Sequence, residues 1–358
     1  MNRCFFLLLT TCLLLTACVR QQIIDRITLF IVCSFDAATN DQIEFTIAAP
    51  KVKSKKPDSI SNQLLSKVAN TSVDIKETMD FQLTRPTSPG RLSVMLFGKD
   101  LAAKGLAKEL DVALRDAQAS RRMYLAVVDG EAKNMLQADF SSDEEKGMFL
   151  FNLLDSNMRS GVLPKQNLHE FEYSLSGKGM DPFLPLLKLE HDQVMISGLA
   201  LFKDDKYVQS INEKEMRLMK LLQSNTKLGS CEVKLDDGSY VTVRNTSSKV
   251  RYRVSKDEKS ESVTINLNLK GEINESRTVF SPSQELQLIK KSLENELTTS
   301  GIQLIHLFKK EGIDPLGLGD FVRSQTRNWN EDEWEEQYPT LNVRLNVTVI
   351  IKEMGIKK

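Results

Sequence analysis

The chain has 358 residues, enough for two or three domains with substantial cores. Lysine and arginine together number 48, and aspartate and glutamate together also number 48, so the formal net charge is zero. A neutral chain without a basic arm lacks the charge excess that general nucleic-acid binding requires, and we therefore expect no nucleic-acid partner.

The first eighteen residues have the layout of a secretory signal. Arg3 supplies a positive charge, an apolar run extends from Cys4 to Leu15, and two small residues precede Cys18. The run has about a dozen residues, whereas a helix that crosses a bilayer needs roughly 20. A buried helix with an ordinary core thiol and an uncleaved anchor are the alternatives. We interpret residues 1–17 as a cleaved signal peptide.

The end of this segment resembles the lipobox of bacterial lipoproteins. It consists of Leu15, Thr16, Ala17 and Cys18, an apolar residue and two small residues before a cysteine. The resemblance implies that the sulfur of Cys18 receives a diacylglyceryl group and that Cys18 becomes the new N-terminus. The mature chain would then be held at a membrane by lipid.

Two cysteines remain beyond this segment. Cys33 lies in an apolar run and Cys231 lies in a strand-like segment. We interpret both as buried apolar residues, and a disulfide between them is the alternative in an exported protein. No second membrane-spanning segment is predicted after residue 18.

Period-two alternation and period-3.6 apolar stripes predict strands and helices in turn over the first half of the mature chain. The predicted strands are 27–35, 42–47, 91–97 and 122–128. The predicted helices are 59–66, 99–119, 131–136 and 144–156. Alternating strands and helices indicate a sheet layer with packed helices, and the first two strands are expected to form a hairpin.

The second half begins after a loop at 177–185, and we place a domain boundary near residue 190. A helix is predicted at 212–222. Alternating segments then predict an antiparallel meander with one buried face and a hairpin turn at Asp237 and Gly238. The predicted strands of this meander are 229–233, 240–243, 249–254 and 263–268.

The strongest helix prediction covers 281–313. Ser281 can cap this helix, Pro282 suits its first position, and an apolar stripe holds one face over about six turns. Gly301 is a weak point, because glycine costs about 1 kcal/mol relative to alanine inside a helix. A last alternating strand is predicted at 343–351.

Together these elements predict an α+β, multi-domain chain. Its mixed or antiparallel sheets are each packed with helices, and the long helix 281–313 lies across the C-terminal sheet. The predicted regions are a signal peptide at 1–17, an N-terminal α+β region at 18–190 and a C-terminal α+β domain at 191–358. The N-terminal region can itself divide into two sub-domains.

No combination of residues indicates catalysis. The three histidines, His169, His191 and His306, are far apart, and none has a second histidine at metal-binding spacing. Gly317 and Gly319 follow a helix rather than a strand, so they lack the context of a dinucleotide-binding loop. We therefore predict no catalytic residue, no cofactor and no metal site.

An acidic stretch near the C-terminus contains three large aromatic residues, Trp329, Trp334 and Tyr338. Such residues can form a stacking site for a ligand or a partner. They can equally pack the end of the long helix onto the sheet. The sequence leaves both interpretations open.

Five segments along the chain carry a resemblance to a known family. They are 97–111, which begins Phe97-Gly98-Lys99-Asp100; 115–132; 169–185, which begins His169-Glu170-Phe171; 198–212, which begins Gly198-Leu199-Ala200; and 314–355, with Asp314, Gly317, Trp334 and a strand from Val343 to Ile350. Their order resembles that of the Ger(x)C family, the C subunits of the nutrient germinant receptors of spore-forming bacteria.

The resemblance implies a non-enzymatic lipoprotein subunit, held by Cys18 on the outer face of the spore inner membrane. It also implies two membrane partners, the A and B subunits, with which the protein senses small nutrients and triggers germination. A solute-binding lipoprotein that captures the nutrient itself is the alternative, and it requires a cleft lined with aromatic and polar groups. An exported hydrolase is a weaker alternative, because no nucleophile and base can be paired.

Overall fold

The computed structural model describes residues 27–51, 61–71, 74, 78–81, 83–140, 144–235, 238–257, 260–276 and 282–352. Within them lie a sheet of eight strands and a sheet of four strands, and helices pack on both. The predicted α+β class, with several sheets packed against helices, is confirmed. The predicted signal peptide and the lipobox cysteine lie outside the described residues.

The strands are numbered in chain order. They are β1 (Thr28–Leu29), β2 (Val32–Ala37), β3 (Ile43–Lys51), β4 (Ser61–Ala69), β5 (Thr87–Ser88), β6 (Val94–Gly98), β7 (Tyr124–Val128), β8 (Phe183–Glu190), β9 (Gln193–Lys203), β10 (Lys206–Asn212), β11 (Ser230–Lys234), β12 (Tyr240–Asp257), β13 (Ser260–Ser276) and β14 (Asn342–Lys352). The short strands β1 and β5 pair with each other in parallel.

The α-helices with complete described bounds are numbered in the same way. They are α1 (Lys99–Lys104), α2 (Ala107–Arg115), α3 (Ala132–Gln137), α4 (Lys146–Arg159), α5 (Leu168–Ser176), α6 (Glu213–Gln223), α7 (Pro282–Glu311), α8 (Leu318–Gln325) and α9 (Glu331–Gln337).

The eight-stranded sheet has the order β10-β9-β8-β7-β6-β2-β3-β4. Its four central strands, β8, β7, β6 and β2, are parallel, and antiparallel strands flank them on both sides. The predicted hairpin of the first two strands is present as β2 and β3. Because β9 and β10 continue this sheet, it extends to Asn212. The division into 18–190 and 191–358 stays a prediction.

Helices cover both faces of this sheet. Buried side chains of α1, α2 and α5 pack on one face, and those of α3, α4 and α6 pack on the other. The central strands β6 and β7 are accordingly apolar at nearly every position and buried throughout, apart from the half-buried Tyr124. Continuous apolar runs are the expected composition of parallel strands that are covered on both sides.

The four-stranded sheet has the order β11-β12-β13-β14. The first three strands form the predicted antiparallel meander, and β14 joins β13 in parallel after the long helix α7. Ile289, Leu293 and Phe308 of α7 are buried, and Gly301 of α7 lies against Leu345 of β14. The prediction of a long helix across the C-terminal sheet is confirmed.

Two local predictions are wrong. Residues 59–66 were expected to be helical, but 61–69 form β4, because nine residues can pair along the free edge of β3. The single helix at 99–119 is two helices that are separated at Gly105. Gly105 has φ of +119°, and a Cβ there would lie 2.5 Å from Oδ2 of Asp205, so this backbone favours glycine and ends α1.

Candidate functional site

Two loops meet where the two large sheets approach each other. One loop, 177–182, connects α5 to β8, and the other, 312–317, connects α7 to α8. The amide of Asp181 donates a hydrogen bond to the carbonyl of Asp314 at 3.0 Å, and the amide of Asp320 donates one to the carbonyl of Gly179 at 2.8 Å. We name this contact the inter-sheet junction.

Two glycines allow the loops to come this close. A Cβ on Gly179 would lie 2.5 Å from the carbonyl carbon of Gly319. A Cβ on Gly319 would lie 2.5 Å from Nε1 of Trp334 and 2.7 Å from the Cα of Gly179. Gly179 also has φ of +71°, which side-chain-bearing residues adopt at a cost. The junction therefore requires glycine at both positions.

A buried carboxyl group, that of Asp314, lies at the centre of the junction. Its Oδ2 accepts a hydrogen bond from the amide of Gly319 at 2.7 Å, and its Oδ1 has no hydrogen-bond partner among the described residues. Burial raises the pKa of Asp314 from its usual value near 3.8 to about 7, because the backbone donors only partly offset the loss of water.

A second carboxyl group, that of Asp181, faces Asp314 across the junction. Its Oδ2 accepts a hydrogen bond from the amide of Asp314 at 2.7 Å. Burial raises the pKa of Asp181, and the ammonium of Lys203, 3.7 Å away, partly offsets that effect. Lys203 also donates a hydrogen bond to Glu335 at 3.1 Å. These contacts bind the end of β9 to both loops and to α9.

Trp334 and Tyr338 form an aromatic wall beside these carboxyl groups. Their ring centroids are 5.6 Å apart, both side chains are buried, and the hydroxyl of Tyr338 donates a hydrogen bond to the carbonyl of Ile313 at 2.8 Å. The two residues therefore pack the end of α7 against the junction, as the second of the two sequence interpretations expected. Trp329 is half-buried and does not line this wall.

The junction also encloses a cavity of about 240 Å³. Its polar lining carries more negative than positive groups, with the aromatic wall on one side. The charged lining residues are Asp181, Lys203, Asp204, Asp314, Glu331 and Glu335. The volume lies just below the usual range of small-molecule sites, roughly 300–1,000 Å³. A small solute with an ammonium group suits this lining best, through the carboxylates and the aromatic faces.

A further buried carboxyl group, that of Asp36, stabilises the first sheet. It accepts hydrogen bonds from the amides of Ala132 at 2.7 Å and Lys133 at 2.8 Å, which are the first residues of α3. Burial raises its pKa to about 6. Asp205 has the same role at α2, where it accepts a hydrogen bond from Ala107 at 2.9 Å. Both groups cap helices, and their positions need no ligand to explain them.

The structure does not bring the other sequence candidates together. His169, His191 and His306 are exposed on separate elements. Cys33 and Cys231 are free thiols, so the alternative of a disulfide between them is wrong. Within the described ranges no group of three or more His, Cys, Asp or Glu side chains could hold a metal ion. No helix in those ranges is long and apolar enough to cross a membrane.

The residues of the junction were not predicted individually. Gly179, Asp314 and Gly319 all lie in segments that carry the family resemblance, 169–185 and 314–355, and Gly319 was otherwise considered only as part of a dinucleotide-binding loop. Glycines in and beside two loops that also contain proline are the one signal that could have suggested close backbone contact. No local pattern indicates that the two loops meet, because 133 residues separate Asp181 from Asp314.

Comparison with known families matches nearly the whole chain. A family described as the spore germination protein N-terminal domain matches residues 20–189. A second, described as spore germination B3/GerAC-like, C-terminal, matches residues 197–355. The two matches are consecutive, and the junction joins one matched region to the other.

Individual relatives agree with these matches. The chain is 27% identical to the spore germination protein GerQC of Bacillus cereus over 357 residues, which covers 98% of this chain and 99% of the relative. It is 23% identical to the putative spore germination protein YfkR of Bacillus subtilis (strain 168) over 378 residues, which covers 97% and 95%. The crystal structure of the GerBC protein has the same fold, with a TM-score of 0.61, 19% identity and coverage of 89% of this chain and 96% of that chain.

Proposed function

Because the chain belongs to the Ger(x)C family of spore germination proteins, we propose that it is the lipid-anchored, non-enzymatic C subunit of a nutrient germinant receptor. The observation that carries the proposal is the pair of consecutive family matches over 20–189 and 197–355. In this proposal the protein acts with two membrane subunits, A and B, in nutrient-triggered germination. It resides on the outer face of the spore inner membrane.

The anchor in this proposal is a diacylglyceryl group on Cys18. The support is the sequence Leu15-Thr16-Ala17-Cys18 at the end of a short apolar run. Each buried methylene of an acyl chain contributes about 0.8 kcal/mol to membrane binding, so two chains hold a protein far more firmly than one. Residues 1–17 are removed when Cys18 becomes the N-terminus.

Acyl labelling of spores tests the anchor. We expect Cys18→Ala to lose the acyl label and to be released from the membrane fraction by a high-salt wash, and spores that carry it to germinate poorly. Cys12→Ala is the matched control, since it removes a cysteine from the segment that is discarded, and it should retain both label and location. Full membrane association of Cys18→Ala together with normal germination would contradict the anchor.

Crosslinking in spore membranes tests the partners. We expect the protein to co-purify with one A and one B subunit and to form crosslinks to their segments outside the membrane. If it purifies as a lipid-bound protein without either subunit from crosslinked membranes, the receptor role is wrong. This outcome is independent of the acyl-labelling result.

A second candidate function, capture of a small solute, is favoured by the cavity at the junction. Its volume of about 240 Å³ admits a molecule no larger than an amino acid or a small sugar. Calorimetry with residues 19–358, which contain every described element, measures this directly. Saturable binding of a solute with an ammonium group that Glu335→Gln weakens would support capture, because the cavity lining is mainly acidic. Absence of heat with all amino acids and sugars tried would remove it and leave the subunit role unaffected.

A further inference from the structure

The four-stranded sheet has one face without any covering helix among the described residues. Helices α6, α7 and α8 all pack on the inner face. On the opposite face, the register of β12, β13 and β14 aligns side chains in rows of three, with one residue from each strand. One row is Arg253, Thr264 and Arg344, and the next is Arg251, Asn266 and Asn346.

This outer face is strongly basic, and we call it the basic face. Its cationic residues come from all three strands and are exposed. They are Arg244, Lys249, Arg251, Arg253, Lys270, Arg344 and Lys352. On these rows the only described carboxylate is that of Glu272, which pairs with Arg244 at 2.7 Å. Among the described residues, the other six cations form no ion pair.

The concentration of positive charge is notable because the whole chain has a net charge of zero. The cations are interspersed with Asn, Thr and Ser side chains, such as Asn266, Asn268 and Thr348, which can donate hydrogen bonds to anionic oxygens. The rows extend side by side along three paired strands. An extended, hydrogen-bonding, cationic face complements an extended anionic surface.

We propose that the basic face lies against the anionic phospholipid headgroups of the membrane and orients the protein there. The proposal rests on the proposed membrane anchor for the location of the protein. The basic face does not supply the anchor. It selects which side of the folded chain faces the lipid, through contacts between its guanidinium and ammonium groups and lipid phosphates.

The distance from the start of the fold to the basic face agrees with this orientation. Gly147, at the start of α4, contacts Ile31, and a Cβ there would lie 2.7 Å from the Cβ of Ile31. At the other end of α4, Gly161 contacts Thr226, which forms a bridge with Ser248, the neighbour of Lys249.

A helix of this length spans about 20 Å, and each of the three contacts adds about 5 Å, so the path from Ile31 to Lys249 is about 40 Å long. Eight residues, 19–26, lie between Cys18 and the described chain, and the nine Cα–Cα steps from Cys18 to residue 27 reach about 30 Å in an extended chain. Because that bent path is longer than the straight line, the reach of the linker is comparable with the distance, and a lipid on Cys18 and the basic face can contact the same membrane surface.

Vesicle sedimentation with residues 19–358 tests the proposal without the lipid anchor. We expect binding to vesicles that contain phosphatidylglycerol, little binding to vesicles of phosphatidylcholine alone, and release as salt is raised. Each basic residue near an anionic surface strengthens binding about fivefold. The triple variant Lys249→Gln, Arg251→Gln, Arg253→Gln should therefore bind about 100-fold more weakly.

The matched control removes the same charge elsewhere. Lys108, Lys165 and Lys206 are exposed residues outside the four-stranded sheet, and they form no ion pair among the described residues. Changing all three to Gln should alter vesicle binding by no more than about twofold, because these lysines do not lie on the face that contacts the lipid. Equal losses in both triple variants would show a net-charge effect and overturn the proposal.

Equal binding of the wild-type chain to both kinds of vesicle, or to neither, would also overturn the proposal, and an acidic protein partner would then be the better explanation of the face. Because the test protein lacks Cys18, its outcome does not depend on acylation. Failure of the orienting face and failure of the anchor are therefore distinguishable.

Discussion

Helices pack on both of the large sheets, but they cover both faces of one sheet and a single face of the other. In the eight-stranded sheet, helices pack on both faces, and strands such as β6 are buried at every position. In the four-stranded sheet the helices pack on one face, and β14 alternates between buried or half-buried residues and exposed ones. The first sheet is closed to partners along its centre, whereas the second offers an open surface.

This difference shows where the sequence can vary for function. A central strand of the closed sheet is constrained at each residue, because both sides pack against helices. On the four-stranded sheet, every second residue of β12, β13 and β14 faces water and packs against no helix, and seven of these residues are basic. The inter-sheet junction fixes the two sheets relative to each other, so the open face has a defined orientation to the start of the chain.

The largest expected effect comes from the closed sheet. Leu96 of β6 is fully buried, and Leu96→Ala should lower the free energy of unfolding by about 2–5 kcal/mol through lost burial and a residual cavity. Thr348→Ala on the open face should change it by less than about 0.5 kcal/mol. Urea unfolding followed by circular dichroism measures both. Similar costs at the two sites would show that the open face is covered.

The next effect is a pH dependence at the junction. The pKa of Asp314 is raised to about 7, so the folded state holds its proton over a range in which the unfolded state has released it. The contribution of the Asp314 carboxyl to the free energy of unfolding is therefore fully present below about pH 4, declines as the pH rises, and is lost above about pH 7. The shift corresponds to at most about 4 kcal/mol.

Comparison of the wild-type chain with Asp314→Asn isolates this contribution. The difference in the free energy of unfolding, wild type minus variant, should fall between pH 4 and pH 7 and be flat above it. The pKa of Asp181 is also raised, but Asp181 is present in both proteins, so its effect cancels in the difference. A difference that rises with pH over this range would mean that the Asp314 carboxyl is stabilised as an anion.

A smaller effect is expected from the contact between Gly179 and Gly319. Gly179→Ala should lower the free energy of unfolding by about 2–3 kcal/mol, because its backbone is left-handed and the new Cβ overlaps Gly319. Gly312 also has a positive φ, of +66°, but nothing lies within 4 Å of its Cβ position. Gly312→Ala should therefore cost only about 1 kcal/mol. If the two variants unfold at the same urea concentration, the glycine contact does not hold the sheets together.

The sequence predicted the parts of this fold that local patterns determine. The strand at 122–128, the helix at 212–222 and the long helix with its apolar stripe were predicted within a few residues. Residues 59–66 were missed, because pairing with β3 outweighs their helical pattern. The parallel pairing of β14 with β13 was not predictable, since the two strands are separated by a 30-residue helix and no local signal gives their register.

The candidate site was less predictable than the fold. Trp334 and Tyr338 were singled out for their size, but the carboxyl groups beside them, Asp181 and Asp314, have ordinary sequence surroundings. Their raised pKa values arise from burial between two loops that are distant in sequence. Such burial is a property of the tertiary contact, so a pattern within one segment cannot reveal it. The lipid anchor at Cys18 stays a prediction.

The smallest expected effect lies in the helix that covers the inner face of the open sheet. Helix propensity predicts that Gly301→Ala would stabilise the protein by about 1 kcal/mol. A Cβ at this position, however, would lie 2.4 Å from Cδ2 of the buried Leu345, and moving that side chain costs about 1–3 kcal/mol. We therefore expect Gly301→Ala to be slightly destabilising in urea unfolding.

The sign of this effect should reverse when the contact is removed. In a Leu345→Ala background, Gly301→Ala should stabilise the protein by about 1 kcal/mol, because only the helix propensity remains. Thr299→Ala, at an exposed position two residues earlier, is the control for propensity alone and should stabilise in both backgrounds. Stabilisation by Gly301→Ala in the wild-type chain would mean that α7 packs more loosely on β14 than the contact with Leu345 indicates. Side chains on the inner face of the four-stranded sheet would then be packed less tightly than those of the eight-stranded sheet.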